Sequence, residues 1–199
     1  MATFVLPLYP LESAVLLPGE SVTIPLSTAW SRGIVTQARD FGDTVVVSLV
    51  DGESVHEVGV TALVAGDEDD SAELRGVTRC RLVQLIPDDP RLVRAERFPE
   101  PLPARQAGPL TRLLRARYAR LCQALARTPG PVSDQEDLSS LTWRITASLG
   151  LTPDQQQGFL NVPDPRTRGQ LLLLAVREFE RRERFLRPWA HMRSGRAWN

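Results

Sequence analysis

Few residues in this chain could do covalent or acid–base chemistry. There are two histidines, His56 and His191, and two cysteines, Cys80 and Cys122. His56 lies in a stretch that alternates like a strand and His191 lies in the C-terminal tail, so neither pairs by local spacing with a nucleophile and an acid. No two of these four residues have the spacing of metal ligands. The acidic run Gly66-Asp67-Glu68-Asp69-Asp70-Ser71 lacks the ligand–Gly–ligand spacing of a calcium loop and reads as a solvated hairpin tip. All 24 basic residues are Arg, and no Lys is present. A phosphate-binding loop of the Walker type needs a Lys to reach the phosphates, so none is encoded here. Cys80 sits between Arg79 and Arg81, which would activate an exposed thiol. Alternation puts both arginines on the face opposite Cys80, and a buried thiol is expected. No catalytic residue, metal or cofactor is expected, and the chain reads as a binding protein, not an enzyme.

One cluster has a different chemistry. Arg177, Arg181, Arg182, Arg184 and Arg187 lie among Phe179, Phe185 and Trp189, the basic-plus-aromatic composition of a nucleic-acid surface. Arg181, Arg182 and Arg184 are the candidate nucleic-acid contacts. Against this, Glu178, Glu180 and Glu183 are interleaved at helical pairing distances. Phe179 and Phe185 fall near the apolar stripe of the same helix. A solvated helix face is therefore the stronger reading, with a nucleic-acid interface as the alternative.

The elements that would carry these residues change character part-way along the chain. Residues 5–26 are apolar on both alternating faces, with Phe4, Leu6 and Leu8 on one and Val5, Tyr9 and Leu11 on the other, so a strand buried on both sides is expected. Pro18-Gly19 supplies a turn. Residues 30–40 read as a short helix, and residues 44–50, 56–65, 72–86 and 92–98 read as strands, with Gly76 the expected bend or bulge. Pro99-Glu100-Pro101-Leu102-Pro103 cannot be regular structure. Beyond it the apolar period becomes helical over residues 109–126. Ser133-Asp134-Gln135-Glu136 reads as a capping box for a second helix. Thr152-Pro153 opens a third helix, and Asp164-Pro165 opens a last one running to about residue 186. Residues 1–100 hold 16 acidic and 8 basic side chains and residues 101–199 the reverse, so the two parts should attract each other electrostatically, with a basic face for an acidic partner as the alternative. The longest apolar run, residues 171–176, is far below the roughly 20 residues a membrane span needs. No signal-peptide pattern opens the chain, and a cytoplasmic location is expected.

Three of these stretches carry a family resemblance. Leu6-Pro7-Leu8-x-Pro10-Leu11 with Val15-Leu16-Leu17-Pro18-Gly19 and Ile24-Pro25-Leu26 resembles the opening of the substrate-binding domain at the N-terminus of Lon proteases. Val58-Gly59-Val60-Thr61-Ala62-Leu63-Val64 and Leu74-Arg75-Gly76-Val77-Thr78-Arg79-Cys80-Arg81-Leu82 resemble its next two strand motifs, in the same order. Ser27-Thr28-Ala29-Trp30 stands where many stand-alone members show Phe-Glu-x-Arg-Tyr. The resemblance implies an α+β fold: a PUA-like pseudo-β-barrel of about six strands (residues 1–98), a Pro-rich linker (99–106) and an α-helical bundle with a long terminal helix (107–199). By resemblance the chain would be a bacterial, proteolysis-related adaptor without protease or ATPase parts. It would bind an unfolded or partner polypeptide through apolar residues on the loops over the end of the barrel. Leu16, Leu17, Trp30 and Phe41 are the candidates. PUA-like folds also occur in RNA-modifying proteins, which keeps RNA as the alternative partner; a membrane is not expected.

Overall fold

In a computed structural model, residues 3–68, 70–98, 100–101, 107–124 and 136–186 are described. Their elements run β1 (Thr3–Leu11), β2 (Ser21–Pro25), α1 (Ala29–Ala38), a 3-10 turn (Arg39–Phe41), β3 (Thr44–Asp51), β4 (Ser54–Val55), β5 (Val58–Glu68), β6 (Ser71–Ile86), β7 (Asp89–Arg97), α2 (Ala107–Ala124), α3 (Leu138–Ser148), α4 (Pro153–Asn161) and α5 (Pro165–Leu186). Among the described residues the sheet has seven strands, one more than the sequence suggests. The addition is β4, two residues that pair only with the end of β3 and are too short to show a pattern.

The chain divides into two compact units. One comprises Met1–Pro101 with Thr146–Asp164, the other Leu102–Ile145 with Pro165–Asn199. The strands and α4 thus share a unit, although the sequence reading places residues 146–164 with the helices.

Within the strand unit the sheet closes because β1 serves two neighbours in succession. Thr3–Pro7 runs antiparallel to β7, and Leu8–Leu11 then runs parallel to β3. The order continues β7, β6, β5, β3, with β2 added beside the first half of β6. Both faces of β1 are packed, as its composition indicates. Tyr9 joins Leu16, Ile24, Ile34, Val35, Val45, Val47 and Leu74 in one cluster, with Leu11 against it. Leu8 joins Val46, Cys80, Val93 and Ala95 in another, with Phe4 and Leu6 against it. Cys80 is fully buried, and burial pushes its thiol pKa up to about 12. It is inert, in agreement with the alternation argument. Cys122 is buried as well.

β6 is one long strand. Its register against β5 slips beside Val77, between the pairs Thr61–Thr78 and Ala62–Gly76. Gly76 itself meets the crossing loop: Gly19 N donates to Gly76 O (2.9 Å) and Gly76 N donates to Glu20 O (2.8 Å). A Cβ on Gly76 would lie 2.4 Å from the Leu17 carbonyl oxygen. Gly19, at φ +84°, makes the turn that brings this loop in.

In the helical unit, α2 and α5 pack together in the same sense, since Leu110 lies against Gly169 and Arg117 pairs with Glu180 at 3.1 Å. Of the helical stripes expected from the sequence period, Leu114, Tyr118, Leu121, Cys122, Leu138, Leu141, Ile145, Leu149 and Leu172 are buried, whereas Leu113, Leu171 and Leu174, expected on the same stripes, are exposed. α2 starts two residues before the expected Pro109. The expected Ser133–Glu136 capping box lies partly outside the described residues. At the described start of α3, Asp137 does the capping, its carboxylate accepting from Ser140 N at 2.7 Å.

Replacing Gly76 by Ala should cost about 1–3 kcal/mol, because the new methyl must displace backbone and not a flexible side chain. The measurement is the urea midpoint. A variant as stable as the parent would show that the 16–20 loop is not held against β6.

Candidate functional site

The face of the strand unit built by α1 brings the most of the candidate residues together. Thr28 and Ser31 form a capping box: Ser31 N donates to Thr28 Oγ1 (3.0 Å) and Thr28 N to Ser31 Oγ (3.3 Å). This departs from the usual Glu at the third position, but Ser reaches because it is itself buried in the first turn. Ser31, Ile34, Val35 and Ala38 are the buried side of the helix. Trp30 is left 43% exposed, its ring 5.7 Å from that of Tyr9 and tilted by 46°. Tyr9 is buried, and burial raises its pKa. An exposed indole is thus backed by a fixed aromatic ring on a capped helix, a pre-organised apolar contact.

One and two turns on, the same side of α1 presents Gly33 and Gln37. Arg91 of β7 lies over Gly33, so close that a Cβ there would meet Arg91 Nη1 at 3.2 Å. Arg91 donates from Nε to Asp89 Oδ1 (3.1 Å) and from Nη2 to Asp89 Oδ2 (3.3 Å), and Gln37 Nε2 donates to Asp89 Oδ2 (3.1 Å). The Arg91 side chain first, then Gln37 and the Arg91 amide, hold the Asp89 carboxyl below its ordinary pKa. The strip therefore runs from an apolar end at Trp30 to a polar end whose opposite charges are already paired.

The other polypeptide-binding candidates lie differently. Leu16 and Leu17 are buried, at 4% and 1% exposure, and Leu16 belongs to the core cluster under α1. They pack the loop and present no surface, because that loop is drawn in against Gly76. Phe41 is half-buried at the end of the 3-10 turn, where Gly42 at φ +65° and Asp43 at φ 55° reverse the chain. Of the four, Trp30 and Phe41 have surface to offer.

The alternative candidates lie on α5. Arg181, Arg182 and Arg184 are all exposed, and Arg181 is paired with Glu178 at 2.7 Å. Phe179 is half-buried, but Phe185 is 74% exposed and not on the core stripe as its period suggests; it stands in the last turn of the described helix. Trp189, Arg187 and His191 lie outside the described residues.

Two arginines that composition gave no reason to single out are the buried charged side chains among the described residues. Arg79 is 2% exposed; it donates to the carbonyls of Leu160 (3.0 Å), Val162 (2.7 Å) and Pro163 (3.0 Å), and its guanidinium lies 4.6 Å from the Phe98 ring and 3.6 Å from a Glu100 carboxylate oxygen. Arg168 is fully buried in the helical unit, donating to Thr142 Oγ1 (2.8 Å) and Ser139 Oγ (3.1 Å) over the Trp143 ring at 3.6 Å. Both are structural cations held by carbonyls, hydroxyls and ring faces, although the buried Nε of Arg79 makes no hydrogen bond among the described residues. The signal for Arg79 was its place next to a buried Cys in a β-branched strand; for Arg168 it was helical phase with Leu172. Among the described residues no group of His, Cys, Asp or Glu could hold a metal ion, and no helix is long and apolar enough to cross a membrane.

The model for the ATP-dependent protease La (LON) substrate-binding domain matches residues 5–178. The chain belongs to the Lon substrate-binding domain family. It is 32% identical over 188 residues to a Lon protease of Salinispora arenicola, an alignment that covers 89% of this chain and 24% of that protein. The chain thus spans about a quarter of the length of this curated relative. Two solved structures share the fold. The N-terminal domain of the Mycobacterium avium complex Lon protease has a TM-score of 0.71 at 19% identity, covering 87% of this chain and 98% of that one. A Lon N-terminal domain protein from Xanthomonas campestris has 0.63 at 23%, covering 86% and 98%. The α+β architecture expected from the resemblance is the architecture of these Lon domains. In this member of the Lon substrate-binding domain family, the α1 face carries an exposed aromatic ring packed against a buried one.

Asp89 gives this face a pH signature. Its folded pKa is lowered, so its contribution is present above the unfolded carboxylate pKa and is lost as pH falls through the folded value. Asp89→Asn should therefore be less stable than the parent near neutrality, with the difference vanishing at acid pH. Urea midpoints across that range check it; a difference independent of pH would mean that the charge of Asp89 plays no part.

Proposed function

We propose that this chain is a polypeptide-binding module that captures exposed apolar segments and performs no catalytic step of its own. The observation that carries the reading is the match to a substrate-binding domain family over residues 5–178. The α1 face supports it physically. A half-exposed indole held by Tyr9 and a capped helix can bury apolar side chains with little ordering cost, and burial of this kind discriminates weakly among sequences. Asp89 and Arg91 beside it are paired with each other, so this pair adds no net charge to that end of the face. Phe41 is the second proposed contact. Leu16 and Leu17 act behind this surface as packing. The absence of Lys from the sequence supports the non-catalytic part, since the Ser–Lys dyad implied for Lon-type proteolysis has no Lys to use.

The alternative partner is RNA. The observation favouring it is the exposure of Arg181, Arg182 and Arg184 along α5. The Glu178–Arg181 pair lowers the charge available there.

Salt separates the two. Neutralising several phosphates makes RNA affinity fall steeply as salt rises, whereas apolar burial is barely weakened by salt and can be strengthened. Titrating a denatured protein and a single-stranded RNA from low to high salt should show retained binding of the former. Trp30→Ala should weaken that binding about tenfold or more, ~1.4 kcal/mol, while the protein remains folded at the temperature of the assay. Tight RNA binding that is lost on replacing Arg181, Arg182 and Arg184 by Ala, with no affinity for the unfolded chain, would overturn the reading.

A further inference from the structure

α4 is attached to the strand unit in an unusual way. Its own start is well formed: Gln155 N donates to Thr152 Oγ1, Thr152 N donates to Gln155 Oε1 at 3.1 Å, and Pro153 opens the first turn. Of its nine residues, however, only Gln157 and Leu160 are buried. A helix this short is marginal by itself, and one buried leucine with Phe159 and Val162 half-buried is a small apolar anchor. Much of the hold is polar and ends on backbone carbonyls. Arg79 reaches those of Leu160, Val162 and Pro163 at 2.7–3.0 Å, and Gln157 Nε2 reaches that of Val58 at 2.8 Å. The closed arrangement also carries a cost, because Gln157 Oε1 is buried and accepts no hydrogen bond.

We propose that residues 153–163 are a flap that opens as one piece from the folded strand unit, with Arg79 as its latch. Two features make opening easier than unfolding. The guanidinium keeps the Phe98 ring and the Glu100 carboxylate on its strand-side surroundings, so an open flap does not leave a bare buried charge. Gln157 Oε1 gains water when the helix lifts. The strands, in contrast, are tied by the continuous ladder from β1 through β7, β6 and β5 to β3, which the flap does not enter. Segments held by few apolar contacts are where sub-global opening occurs. The inference does not depend on what the protein binds.

Native-state hydrogen exchange read by mass spectrometry tests this on the full chain. In the parent, amides of residues 153–163 should exchange faster than those of β3, β5 and β6, and with a shallower dependence on urea. Arg79→Lys keeps the charge over Phe98 but cannot make the three forked bonds. In it, exchange across 153–163 should rise at least about tenfold relative to the strands, as expected for losing charge-assisted bonds, while the strands stay protected. Leu160→Ala should act in the same direction through the apolar anchor. If the flap and strand amides of the parent exchange at one rate with one urea dependence, the flap does not exist. An Arg79→Lys protein that fails to fold would overturn the proposal too, since Arg79 would then hold the barrel and not a flap.

Discussion

The strand unit depends on β1 being packed on both faces while it changes neighbour half-way. An ordinary antiparallel strand can leave one face to water, and its composition then alternates. β1 cannot, because Tyr9 and Leu8, one residue apart, belong to different apolar clusters. Its two prolines fit this arrangement. Pro7 closes the antiparallel pairing with β7 and Pro10 lies in the short parallel pairing with β3, so each gives up a donor near a place where pairing changes. The crossing loop must then pass tightly over β6, which requires Gly76 to lack a side chain. α1 follows directly from that loop and its β2 strand, and it carries Trp30 to Tyr9 on β1. The candidate surface is thus a consequence of how the sheet closes.

Arginine does two kinds of work in this lysine-free chain. On α5 it is solvated and paired along the helix, the cheapest place for charge. At Arg79 and Arg168 it is buried, and the planar fork lets one side chain satisfy several carbonyl or hydroxyl oxygens while its face lies on a ring. A lysine could not match that geometry. Its absence from the composition is therefore compatible with both the surface and the interior of the fold.

The parts legible in the sequence were those set by neighbours along the chain. Residues 5–11 declare their double burial, Thr152-Pro153 its helix start, and Asp164-Pro165 the last helix. The bulge expected near Gly76 falls one residue on, at Val77. What was not legible depends on distant partners. Leu16 and Leu17 look like loop residues until Gly76 draws their loop inward. Phe185 has the right period for the core, but it stands at the end of a helix where nothing among the described residues covers it. Residues 146–164 read as part of a helical run, yet one carbonyl in the last turn of α4 and two just past it accept from a strand arginine 81–84 positions away. Of the candidate site, Trp30 was visible as an aromatic residue on a short helix, whereas its polar flank of Gln37, Asp89 and Arg91 was not, because it joins α1 to the start of β7.

A single surface is at the centre of the proposed function: an unfolded chain would be held at α1, on the indole of Trp30, and not along the arginines of α5. Photo-cross-linking decides this most directly, using a denatured protein that carries a photoreactive apolar group, with the attachment points mapped by mass spectrometry. The account requires cross-links concentrated in residues 29–41 and the adjoining start of β7. Cross-links confined to α5 around Arg181–Arg184, with α1 untouched, would contradict it.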